Sequence, residues 1–99
     1  MLKELTQRFE TASSIHVESH GIERDADWFL LKLIEEVGEL VQVANKVSGR
    51  GRKKGINIDE LHMQLADETA DILGHLLLFA HHNSIDLEAA ILRKWRFSP

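Results

Sequence analysis

The chain has 99 residues, with 12 lysines and arginines against 16 aspartates and glutamates, for a formal net charge of −4. That balance offers no broad basic surface for duplex nucleic acid. The lack of cysteine rules out a disulfide framework or a thiolate metal site, and no apolar run reaches the ~18 residues of a membrane span. The expectation is one cytoplasmic domain over residues 1–99, without membrane or duplex nucleic-acid partners. At this length a single chain buries only about 60–65% of its unfolded surface, so association with further copies of itself is expected.

Apolar residues recur at helical spacing almost throughout and alternating β-branched runs are missing, which predicts an all-α chain of four helices in a bundle-like protomer. The first helix spans Leu2 to Val17, with Leu2, Leu5, Phe9 and Ala12 on one stripe. Glu18 to Asp25 form a polar connection around Gly21. The second helix covers Asp27 to Val47 and closes at Ser48-Gly49, where glycine can take the left-handed backbone that ends a helix. Its apolar arc centres near Val37 and includes Leu30, Leu33, Ile34, Leu40 and Val41. Glu35, Glu36 and Glu39 lie mostly opposite that arc, with Lys32 between them, and on this helix alone they read as an ordinary solvated face.

A basic, glycine-rich loop, GRGRKKGIN, follows over residues 49–57. Asn57 with Glu60 three residues later resembles a capping box, so a third helix starts there and continues to about His82. Leu61, Leu65, Ile72, Leu73, Leu76 and Leu77 are among the apolar residues covering more than half its circumference, so it is expected to be buried on most sides. The narrow polar stripe left over carries Gln64, Asp67, Glu68, Asp71 and His75. Asn83 to Asp86 form a turn with Asp86 as a cap, and a last helix presents Leu87, Ile91 and Trp95 on one face.

Glu36 with Glu39, and Glu68 with Asp71, are two i, i+3 carboxylate pairs on successive helices. Carboxylates on a helix with little free surface are costly unless paired or coordinated. Salt bridges to the basic loop are one solution. The other is convergence: helices packed antiparallel at ~8–10 Å can bring both pairs to one point. Four hard oxygen ligands suit Mg²⁺, or Mn²⁺, better than zinc, and such an ion usually bridges carboxylates to phosphate oxygens.

The pattern Glu35-Glu36-x-x-Glu39 followed by Glu68-x-x-Asp71, with its flanking text LLKLIEEVGELVQVANK and LADETADILGHLLLFAHHNSIDLEAAILRKW, resembles the MazG-like, all-α nucleoside triphosphate pyrophosphohydrolases over roughly residues 28–96. The resemblance implies a dimer or dimer of dimers that hydrolyses a nucleoside triphosphate, non-standard or surplus, to the monophosphate and pyrophosphate. It implies Glu36, Glu39, Glu68 and Asp71 as Mg²⁺ ligands, with Glu35 as a further ligand or the group that orients the attacking water.

Around this set, Arg50, Arg52, Lys53 and Lys54 read either as a flap of phosphate-binding cations or as a solvated loop. Lys32 and Lys46 can touch phosphate or pair with neighbouring glutamates. Arg93, Lys94 and Arg96 suit the C-terminal end of the last helix dipole; Lys94 is the candidate among them to reach substrate. Trp28, on the polar side of its helix, either stacks on a nucleobase or is buried by packing. His75 contacts substrate, donates to Asp71 or is a satisfied interior histidine, and His81-His82 are expected to end a helix facing solvent. Two other readings compete. One is a catalytically silent dimerisation or regulatory module. The other is a di-iron carboxylate bundle, disfavoured because neither Glu36 nor Glu68 has a histidine three residues on.

Overall fold

A computed structural model describes residues 1–49, 55 and 57–97. Four helices follow one another, α1 (Leu2–Ser19), α2 (Ala26–Val47), α3 (Ile58–His82) and α4 (Leu87–Trp95), with no strand among the described residues. Three of them start on a side-chain cap. Asp25 accepts from the Trp28 amide at 2.8 Å, Asn57 from Glu60 at 2.8 Å and Asp86 from Ala89 at 3.1 Å, each satisfying an amide that the first helical turn leaves free. Gly49, at φ 82°, turns the chain out of α2.

The α2–α3 pair is the backbone of the molecule, and α1 lies against α3. Phe29 and Val43 of α2, Leu61, Leu77, Leu78 and Ala80 of α3, and Val17 of α1 make the core. The α1–α2 connection is held by Arg24, whose two guanidinium nitrogens bind both carboxylate oxygens of Glu10 and the hydroxyls of Ser13 and Ser14. The same guanidinium sits over the Phe29 ring, 5.2 Å from its centroid. His82 stacks on Phe29, with centroids 4.2 Å apart, so this histidine, expected to face solvent, also covers a core ring.

Two expectations about burial need correction. On α2 the arc named as apolar does not turn inward as a whole: Leu30, Ile34, Val37 and Val41 are 47%, 60%, 42% and 50% exposed, whereas Glu36 is 7% exposed. The helix buries the face of Phe29, Glu36 and Val43, one heptad apart, and shows α3 part of its acidic side. The helix wheel reports that an apolar arc exists, not which neighbour covers it. Likewise α3 is not buried on most sides, since Ala66, Ala70, Leu73 and Leu76 are exposed. No helix among the described residues is long and apolar enough to cross a membrane.

Candidate metal centre

The centre of the α2–α3 interface is acidic. Glu36 and Glu39 project from α2 and Glu68 from α3, and one carboxylate oxygen from each lies within 4.8 Å of the other two. Glu36 is buried and the other two are half-buried. One oxygen of Glu36 and one of Glu68, the Oε2 atom in each case, are buried without a hydrogen-bond partner. A buried carboxylate oxygen left unpaired is costly, and here two of them face a common cluster of like charge.

The electrostatics follow from that placement. Loss of hydration pushes the Glu36 carboxyl up to about 7 from an ordinary value of 4.5, and the charges of Glu39 and Asp71 push the same way. Glu68 is raised for the same reason, desolvation first and then Glu39 and Asp71. The fold thus disfavours the very charge that three adjacent carboxylates supply. Only protons or a cation relieve it.

Asp71, grouped with these residues from its spacing, is not in the tight cluster; it is exposed and acts on it through its charge. Glu35 also lies outside it, about half-exposed and paired with Lys32 at 3.5 Å. His75 Nε2 is 3.8 Å from Glu36 Oε1, and its proton affinity is lowered by burial and then by Lys32, which favours the neutral imidazole. Trp28 is half-buried, edge-on to Phe29 at 5.1 Å and to His75 at 6.2 Å.

Trp28, Lys32, Glu36, Asp71 and His75 share the wall of a cavity of about 330 Å³. Its remaining wall was not anticipated. Phe9, Ser13 and His16 reach it from α1, and Gly74 from α3. The signal available was Gly74, a residue that costs about 1 kcal/mol relative to alanine inside a helix and so asks for a reason.

The other predicted contacts fall elsewhere. Lys46 is ten residues along α2 from Glu36, about 15 Å at 1.5 Å per residue, in the last turn. Lys94 is exposed on α4, a helix with little packing against the α2–α3 pair. Arg50, Arg52, Lys53 and Lys54 lie outside the described residues.

Compared with models of known protein families, with characterised proteins and with solved structures, the chain matches none.

Proposed function

We propose that this chain is a Mg²⁺-dependent nucleoside triphosphate pyrophosphohydrolase of the MazG-like, all-α kind, releasing monophosphate and pyrophosphate. The observation that carries the reading is Glu36: 7% exposed, one oxygen unpartnered, inside a group of three carboxylates spanning two helices. Among the described residues the one basic group within ion-pair distance of it is His75, at 3.8 Å, which the site keeps neutral, while Lys32 acts on it through its charge and pairs with Glu35.

The donor set fits a hard ion. Glu36, Glu39 and Glu68 would hold Mg²⁺, or Mn²⁺, with Asp71 at the edge adding charge or a further ligand. When bound, the ion supplies charge neutralisation to the phosphoanhydride and acidifies a water. The protein's own part is to position. Lys32, on the cavity wall, offers a cation to phosphate oxygens, and Glu35 fixes its ammonium. A closer part for Glu35, as ligand or as the group orienting the water, requires its side chain to leave Lys32. Trp28 and His75 provide flat faces for a base, and clustered carboxylates with raised proton affinity can accept a proton from water.

The same proposal includes a homodimer or dimer of dimers. Leu30, Ile34, Val37 and Val41 are exposed on the outward side of α2, and Leu73 and Leu76 of α3 are exposed as well. The radius of gyration is 16.0 Å, against about 13 Å for a packed globule of this length. A second copy placed on that face would complete the protomer. The silent dimerisation module is the second reading, favoured by this same face.

The test is a panel of nucleoside triphosphates with and without Mg²⁺, scoring pyrophosphate against orthophosphate. Pyrophosphate from the wild type, lost in Glu39→Gln and Asp71→Asn, supports the enzyme. Orthophosphate release means a different bond is cut, and intact nucleotides across the panel favour the silent module.

A further inference from the structure

The cavity beside the acidic cluster has one wall made by an absence. Gly74 lies in the interior of the 25-residue helix α3 and is buried. A Cβ built on it would stand 2.7 Å from Phe9 Cε1, 2.9 Å from Cδ1 and 3.2 Å from Cζ, so the α1 ring sits where any other residue would place its side chain. Phe9 and Gly74 both line the cavity. The helical cost of glycine therefore has a local cause, and that cause is the position of a ring at the edge of the proposed substrate site.

The cavity's wall joins two kinds of group: the carboxylates of Glu36 and Asp71, and the rings of Phe9, Trp28 and His75, with the Ser13 hydroxyl also on it; His75 Nε2 lies 3.8 Å from Glu36 Oε1. At about 330 Å³ it stands at the small end of ligand sites, room for a flat heterocycle rather than a whole nucleotide, with the phosphates left toward the carboxylates. We infer that Gly74 is the specificity-setting residue of this cavity: lacking a side chain, it seats the Phe9 ring on α3 and so fixes the width offered to the base. The inference rests on the nucleotide reading above and adds to it that discrimination by base size is set by the α1–α3 contact. Gly74 is a positioning residue, acting through Phe9.

A side chain at position 74 forces the ring off α3 and into the space the base would use, so two-ring bases lose more than one-ring bases. The experiment compares kcat and KM for purine and pyrimidine nucleoside triphosphates in wild type, Gly74→Ala, Phe9→Leu and the double variant, with nucleoside binding followed by calorimetry. In Gly74→Ala the purine-to-pyrimidine ratio of kcat/KM is expected to fall about tenfold or more, the scale of a one-methylene change in a pocket, through KM with kcat nearly unchanged. Phe9→Leu, which trims the ring, restores the ratio in the double variant. Equal losses for every base, or no restoration by Phe9→Leu, overturn the inference while leaving the hydrolase reading intact. A wild type that cleaves no triphosphate yet binds nucleosides with the same size-dependent shift removes the hydrolase reading and keeps the role of Gly74. Neither cleavage nor nucleoside binding removes both.

Discussion

At the scale of single residues, Glu36 has the clearest thermodynamic consequence. Its carboxyl titrates at about 7 in the fold against 4.5 ordinarily, so the folded state prefers the protonated form. The stability this provides is full below about pH 4.5 and is lost as pH rises through 7; Glu68 shifts in the same direction. At 1.36 kcal/mol per unit the loss from Glu36 is at most about 3.5 kcal/mol. Metal-free protein should therefore melt at lower temperature at pH 8 than at pH 5. Glu36→Gln should flatten that slope and raise the metal-free melting temperature at pH 8, a comparison of thermal melts across pH. A variant with the wild-type slope would place the origin of the pH dependence elsewhere.

The paired carboxylates themselves were legible, because i, i+3 spacing on two helices needs no tertiary knowledge to be seen. Their relation to solvent was not. On the α2 wheel Glu36 reads as surface, and only the packing of α3 shows it 7% exposed. Phe9 was readable as one member of an α1 core stripe, but its contact with Gly74 joins segments remote in sequence, and periodicity within one helix cannot report it. Asp71 shows the converse: it shares the spacing of the pair, but its side chain lies outside the tight group and acts on it through its charge.

At the scale of elements, the ends of the helices were well marked, since Asn57 and Asp86 cap as expected and Gly49 closes α2. The hidden element is the α1–α2 connection, a polar stretch in the sequence that the fold fixes through Arg24. Its two-pronged pair with Glu10 holds that carboxyl below the usual range, so this contribution is present above about pH 4.5 and is lost on acidification, opposite in sign to Glu36. Arg24→Ala leaves Glu10 without its partner and strips a cation from Phe29; chemical denaturation should show a loss of roughly 2–3 kcal/mol, below the full cost for a completely buried pair because both side chains keep some water. A loss under ~0.5 kcal/mol would mean the connection is held by packing alone.

The outward face of α2 supports a second element-scale prediction. Gly38 lies on it with open space where a Cβ would stand, between Val37 and Val41, which are 42% and 50% exposed. Val37→Glu with Val41→Glu adds charge to that face without touching the protomer core. Light scattering should find the wild type as a dimer or tetramer and the double variant shifted to monomer. An unchanged mass would mean this face is not where copies meet.

For the whole molecule, α2 joins two surfaces, an acidic inner one and an apolar outer one, and the proposed activity depends on the inner one. Association and ion binding both stabilise only the folded state, so the melting temperature should rise with protein concentration and with Mg²⁺. The Mg²⁺ effect should be larger at pH 8 than at pH 5, because protons and the cation compete for the same oxygens. The most direct measurement is the uptake of Mn²⁺ at pH 8, followed by the loss of its free-ion magnetic resonance signal. Saturable binding that Mg²⁺ displaces, weakened at least about tenfold in Glu36→Gln and in Glu68→Gln, is the predicted result, tenfold being typical of a lost supporting group at such sites. A free-ion signal that the wild-type protein leaves undiminished, or uptake by both variants as tight as that of the wild type, would contradict the account.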